Sequence, residues 1–224
     1  MKKIGIELNG VIRNINKQYL KYYLKDINPL FDENKLNPNV TNLLEQLEFE
    51  SKSKKKSFVY EDYPFELFGC ANPMSRNLHT FLNGWSYDLY WYKGFDDVGV
   101  FSLDEDELTI QSTFHYLSKS GTRVRSIVLP RKASDVWDNF DIVITQNKDV
   151  VLSKPQGKIV ILIEKDDNKE VADKADYVYQ NLEEVMRDEG LIEKLNKKDD
   201  ENHNYSWLEK LKNKIQRIIR KIKK

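Results

Sequence analysis

Two side chains near the start of the chain stand where chemistry could happen. In the segment Ile4-Gly5-Ile6-Glu7-Leu8-Asn9-Gly10-Val11-Ile12-Arg13, an apolar run ends at Glu7 and Asn9, just before an Asn-Gly turn signal. A carboxylate at a strand end can attack an electrophile or hold a cation. An amide one residue further along can orient a group but cannot take or give a proton, and acid–base help is typically worth about 10²–10⁴ in rate. Lys154, in Ser153-Lys154-Pro155, is a fixed cation suited to an anionic group or to the Glu7 carboxylate. Asp166 and Asp167 follow a second apolar run, Lys158 to Ile163. With Glu7 they form the candidate set for a magnesium ion, which is held by one or two carboxylates plus waters and phosphate oxygens.

The composition excludes other chemistries. The chain has one cysteine, Cys70, and three scattered histidines, so an internal disulfide and a zinc cluster are both ruled out. His79 and His115 have no accompanying Cys or Asp pattern and read as structural or surface residues. The sequence contains neither Gly-x-Gly-x-x-Gly nor a Walker-type loop, so no nucleotide-binding signature is present.

The elements that must position these residues follow from apolar patterning. Strands are expected at 4–8, 124–129, 141–145 and 159–163, with a short one at 177–179. Helices are expected at 16–24, 40–49, 105–118, 134–140 and 182–195. Strands without polar alternation, separated by helices, imply a parallel sheet covered on both faces. The basic run Ser51 to Ser57 reads as a solvated loop. Residues 58–103 are rich in aromatic rings and poorly periodic, and rings in such number must be buried against one another or against a partner. They could stack on single-stranded nucleic acid, but basic residues are sparse among them, so a packed core or a protein interface is the better reading.

In its order of pieces the sequence resembles the haloacid-dehalogenase (HAD) phosphohydrolases. There the first strand ends in Asp-x-Asp-Gly-Val/Thr, where this chain has Glu7-Leu8-Asn9-Gly10-Val11. Val124–Pro130, Trp137–Thr145 (WDNFDIVIT), Ser153-Lys154-Pro155 and Ala175–Val185 match the later pieces in order. The resemblance implies an α/β fold with a Rossmann-like parallel sheet, comprising residues 1–15 and 104–195, and a cap-type insertion at 16–103. It implies that Glu7 replaces the nucleophile, that Asn9 replaces the general acid and base, and that Pro130 stands where a Ser or Thr should follow the second strand. Only a short link separates Lys154 from the next strand, where a helix belongs. The expectation is therefore a catalytically inactive protein with no catalytic residue and no cofactor, Glu7, Asn9 and Lys154 being degenerate positions. It would serve as a binding or assembly module, for example in a phage particle. The alternative is a slow magnesium-dependent phosphatase or nucleotidase that uses Glu7. On either reading Glu7, Asn9, Lys154 and Asp166 should cluster at the C-terminal edge of the sheet, and if Glu7 and Lys154 lie on opposite sides of the domain the family assignment fails.

The formal net charge is zero, but residues 205–224 carry eight Lys/Arg against one Glu, so the rest of the chain has the opposite excess. Leu208, Leu211, Ile215, Ile218 and Ile222 fall at 3,4,3,4 spacing, giving a basic amphipathic helix behind a polar linker at 196–204. This helix is expected to dock on a protein partner or a second copy, a membrane surface or nucleic acid being less favoured. With no apolar leader, and nothing near the roughly 18 apolar residues of a membrane span, a cytoplasmic location is expected, or the host cytoplasm or virion for a viral protein.

Overall fold

A computed structural model describes residues 2–103 and 109–195. The linker at 196–204 and the basic helix at 205–224, with Leu208, Leu211, Ile215, Ile218 and Ile222, lie outside the described residues. Contacts divide the chain into two units, residues 1–186 and 187–224.

The first unit is built on a six-stranded parallel sheet in the order β5-β4-β1-β6-β7-β8. Its strands are β1 (Lys3–Glu7), β4 (Asp97–Phe101), β5 (Ile127–Val128), β6 (Ile142–Thr145), β7 (Ile159–Ile163) and β8 (Tyr177–Tyr179). The short β2 (Arg13–Asn14) and β3 (Asn72–Pro73) pair antiparallel outside it. β1 is central, as its apolar run requires, and Ile4, Ile6, Val100, Ile142, Ile144, Val160 and Leu162 are all essentially inaccessible. Period-two alternation puts Ile4 and Ile6 on one face and Gly5 and Glu7 on the other. On the Glu7 face, Phe101, Phe140, Val143, Val160 and Leu162 pack with Val136, Trp137, Val150 and Val151. Those last four belong to the short helices α5 (Val136–Asn139) and α6 (Lys148–Leu152).

Two features differ from the sequence reading of the sheet. β4 was not expected, and it lies within residues 16–103. Residues 97–101 therefore belong to the sheet and not to the segment outside it. β4 takes the place beside β1, and the expected 124–129 strand shrinks to the edge strand β5. Gly5 and Gly99 are register partners, and a Cβ on either would run into the Phe140 ring. This close approach is why both strands carry a glycine in mid-strand, where it otherwise weakens the strand.

The segment between β1 and β4 is mainly helical. α1 (Ile15–Asp26) is capped by the Asn14 side chain, which accepts from the Lys17 N–H. Ile15, Tyr19 and Tyr23 pack with Leu44, Leu47, Phe58, Leu67 and Phe68, and Phe31, Phe49 and Tyr63 lie around them. Tyr23 meets Phe31 and Phe49 edge-on at 5.4 and 5.3 Å, the arrangement that the ring quadrupoles favour. Of the rings in 58–103, Phe58, Phe68 and Phe95 are buried, whereas Phe65, Phe81, Tyr87, Trp91 and Tyr92 stay exposed, so the expected burial holds only in part. The basic run is not a loop: Lys52–Ser57 form α2, where Ser51 accepts from the Lys54 N–H and the lysines lie toward the negative helix end. α3 (Leu78–Tyr92) and α4 (Ile110–Ser120) follow, the latter ended by Gly121 at φ 66°, the left-handed cap that favours glycine. α7 (Leu182–Arg187) closes the unit. In the second unit residues 189–195 are helical, and the Leu191 N–H donates to the Asp188 carbonyl at 3.1 Å. Among the described residues no helix is long and apolar enough to cross a membrane.

Candidate functional site

Along the sheet, the chain proceeds outward from β1 through β4 and β5, then restarts on the other side with β6, β7 and β8. β1 is therefore the topological switch point, and the crevice outside its C-terminal end is where such sheets hold ligands. Glu7 and Asn9 lie there, with 3 and 2 % of their surfaces exposed.

The turn that carries Asn9 is held by the backbone. The Leu8 N–H donates to the Phe101 carbonyl at 2.7 Å, and the Ile12 and Arg13 N–H groups both donate to the Leu8 carbonyl. Gly10 sits at φ 78°, and a side chain there would also collide with the Gln146 amide. The turn delivers Arg13 back toward Asn9. Arg13 Nε and Nη2 both donate to Asn9 Oδ1, the former at 2.9 Å, and Nη1 donates to the Phe68 carbonyl at 2.8 Å and to Thr113 Oγ1 at 2.9 Å. The guanidinium lies 5.2 Å from the Phe68 ring centre and 5.3 Å from that of Tyr116. It is wholly buried. On its other side Asn9 Nδ2 donates to Ser102 Oγ at 3.2 Å. Asn9 is thus a buried connector between a cation and a hydroxyl.

Glu7 is held from β6. Thr145 Oγ1 donates to Glu7 Oε2 at 2.6 Å, and the Gln146 N–H donates to the same oxygen at 2.8 Å. The Gln146 side-chain amide donates to the carbonyls of Asn9 and Thr41 at 3.3 and 3.0 Å. Asn168 Nδ2 in turn donates to the Gln146 and Ile163 carbonyls. One buried polar layer therefore runs across the ends of β1, β6 and β7. A cleft of ≈ 220 Å³ opens beside it, lined among others by Glu7, Asn9, Tyr19, Gln146, Lys148 and Asp167.

Three expectations for the site need correction. Lys154 is not here. Its Nζ donates to Asp176 Oδ2 at 2.7 Å, and that same oxygen accepts from the Val160 N–H, at the beginning of β7. The reason is topological: Lys154 follows α6 on the return path to a parallel strand, and such a path must end at the N-terminal edge. Ser153-Lys154-Pro155 therefore does not join Glu7, and the placement on which the family assignment depends is not found; the parallel α/β sheet itself is as expected. Pro130 is not the residue beside the site either. The strand next to β1 is β4, and Ser102, not Pro130, follows it. Asp166 and Asp167 do follow β7 at the correct edge, but only Asp167 lines the cleft. Asp167 accepts from the Thr41 N–H and hydroxyl. Asp166 faces Lys169 and Asn37, and the Lys169 ammonium first, then the Asn37 amide, hold its carboxyl down at about 2. The residues do not fit the magnesium site read from Glu7, Asp166 and Asp167: the three are not brought together. The Gln146 amide, moreover, already serves the Asn9 and Thr41 carbonyls that border the cleft. Among the described residues no group of three or more His, Cys, Asp or Glu is arranged to hold a metal ion.

Sequence reasoning missed Arg13, Ser102, Thr113, Thr145 and Gln146. The available signals were the four-residue spacing of Asn9 and Arg13 across a glycine turn, and polar residues closing two apolar runs, Val98–Phe101 and Ile142–Ile144. His79 is structural, as read. Its ring bridges Thr122 Oγ1 and the Tyr116 hydroxyl, and burial lowers its pKa from 6.5. Burial pushes the Tyr116 phenol up, with Arg13 pulling the other way.

No protein-family model matches the sequence, and no curated protein matches it. Among solved structures the chain is similar to one described as the crystal structure of a dehalogenase. The identity is 11%, the TM-score 0.48, and the match covers 83% of this chain and 95% of that one.

Proposed function

We propose that this chain is a catalytically inactive protein of the dehalogenase-like phosphohydrolase type, kept as a binding or assembly module. The observation that carries the reading is the fixed state of Asn9. Its carbonyl oxygen is occupied by two N–H groups of a buried guanidinium, and its amide donates to Ser102. An amide so held has no proton to exchange and no freedom to approach a substrate. Glu7 is bonded at Oε2 by Thr145 and Gln146, so the one remaining carboxylate is part of a structural layer. Ser102 supplies a hydroxyl beside Asn9, while the two reacting groups, the lysine and the acidic set all depart from the pattern of an active phosphohydrolase.

The test is hydrolysis of an aryl phosphate and of nucleoside monophosphates by the full chain with magnesium. No turnover above background is expected. The double variant Glu7→Asp, Asn9→Asp is expected to remain inactive as well, because the Arg13 guanidinium still engages the side chain at position 9 and, among the described residues, neither Lys154 nor an acidic metal set joins the site. Turnover by the unaltered chain that disappears in Glu7→Ala would overturn the proposal in favour of a slow phosphatase.

A further inference from the structure

One helix of the molecule is apolar on two sides. α3 buries Leu78, Leu82 and Leu89. On other faces it exposes Phe81, Tyr87, Trp91 and Tyr92, at 47, 55, 62 and 72 %. Tyr87 and Trp91, four residues apart, share one face, and Phe81 and Tyr92 share another; exposed large rings so grouped mark a binding surface. Gly84 stands among them, and a Cβ there would meet nothing within 4 Å, so the floor between the rings is open.

The sequence offered few basic residues near these rings, and the fold supplies them from elsewhere. The stretch leading into β5 brings Arg123 and Arg125 alongside α3. A cavity of ≈ 420 Å³ lies between, lined by Tyr87, Tyr90 and Trp91 with both arginines. Its lining contains no carboxylate, and Asp88, the only acidic residue of α3, does not take part. The Arg125 guanidinium lies over the Tyr90 ring, its carbon 3.4 Å from the ring centre. Stacking fixes the plane of the guanidinium and leaves its edge N–H groups free to donate. Among the described residues neither arginine is engaged by a carboxylate. Both are exposed.

We propose that this face of α3, with Arg123 and Arg125, is a docking strip for single-stranded nucleic acid. Bases stack on Trp91 and Tyr87, and the guanidinium groups of Arg123 and Arg125 receive the backbone phosphates. Exposed π-faces interleaved with cations, in a groove free of carboxylates, are the recognition chemistry of an unpaired strand. A duplex keeps its bases stacked inside and cannot offer them to rings projecting from a helix. The strip lies apart from the Glu7 crevice and is independent of whether that crevice is catalytic.

The experiment uses the full chain and fluorescence anisotropy, with labelled oligothymidylate of ~20 nucleotides and its duplex with oligoadenylate as probes. The single strand is expected to bind at least ~10-fold more tightly than the duplex. Trp91→Ala should weaken binding about tenfold, the size of one lost base stack. Arg125→Gln should reduce the slope of log affinity against log salt by about 0.7, one phosphate contact on a single strand. Gly84→Glu is the control that keeps the fold. It adds a side chain and a negative charge in open space at a helical position, so the melting temperature should hold or rise while binding falls more than ~10-fold. Absence of binding at low salt, binding unchanged in Trp91→Ala and Gly84→Glu, or equal binding of the duplex would each overturn the proposal. The last two would place any affinity on other basic residues, such as those of 205–224. Self-association that Gly84→Glu abolishes, without oligonucleotide binding, would make the face a protein interface and overturn it too.

Discussion

Replacing Arg13 with methionine tests whether the crevice is a structural network. The side chain is wholly buried, and its N–H groups serve Asn9 Oδ1 twice, the Phe68 carbonyl and Thr113 Oγ1. Methionine has similar reach and keeps the apolar contact with the Phe68 and Tyr116 rings, so the change removes mainly donors. Three buried acceptors then lose charge-assisted bonds, each worth about 1.5–3 kcal/mol. Neighbouring groups recover part of this by relaxation, and removing the buried charge lifts its own desolvation cost. A net loss of about 3–6 kcal/mol is expected, against a domain stability of about 5–15 kcal/mol. At about 2–4 °C per kcal/mol for a chain of this size, the melting temperature should fall by roughly 6–24 °C. Arg13→Lys should fall in between, since one ammonium cannot reach Asn9 and Phe68 in the same fork geometry. Urea unfolding followed by tryptophan fluorescence measures the loss, and a common m-value across the variants guards the comparison. If Arg13→Met lies within about 0.5 kcal/mol of the unaltered chain, a range ordinary for surface changes, Asn9 is not held by this network and the case for an immobilised site collapses.

Two further outcomes follow from the packing and the titrating groups. Gly5→Ala should destabilise the fold by about 1–3 kcal/mol, because its Cβ would enter the Phe140 ring; Phe140→Leu in the same chain should recover part of the loss in a thermal melt, and additive losses would refute the contact. His79 is held neutral by burial, with a folded pKa below 6.5, so the unfolded chain binds the extra proton first as pH falls. Stability should be fully present above pH 6.5 and decline as pH drops through the folded pKa, and His79→Gln should flatten that decline in urea titrations at pH 7.5 and 5.5.

The parts of the fold that showed in the sequence are those in which one segment carries its own signal. β1, β6 and β7 are unbroken apolar runs, buried from both sides, and nothing else in a chain of this length explains such runs. Gly121, three residues beyond the helix expected at 105–118, supplies the left-handed cap that ends α4. What did not show depended on partners distant in sequence. Lys154 is expected at the site only through the resemblance of Ser153-Lys154-Pro155 to a family motif, yet a parallel crossover must bring the chain back to the opposite edge before β7 begins. Arg123 and Arg125 looked remote from the aromatic segment and lie beside it.

The missed strand accounts for the error in register. Asp97–Phe101 is short, has a glycine at its centre and follows a stretch of poorly periodic rings, so by local propensity it reads as loop. Its meaning lies in comparison with β1. Ile4-Gly5-Ile6 and Val98-Gly99-Val100 have the same form, and the structure pairs them residue for residue, with Phe140 lying against the two glycines. A glycine between two β-branched residues is costly unless something fills the space, and the filler here is a ring from a third segment. Two such triplets in one chain are therefore evidence that they sit side by side beneath a common large side chain. Had the pairing been drawn from that pattern, β4 would have taken the place next to β1, Ser102 would have replaced Pro130 beside Asn9, and the expected 124–129 strand would have moved to the edge. The ring that lies against both glycines is that of Phe140, and neither triplet names it alone.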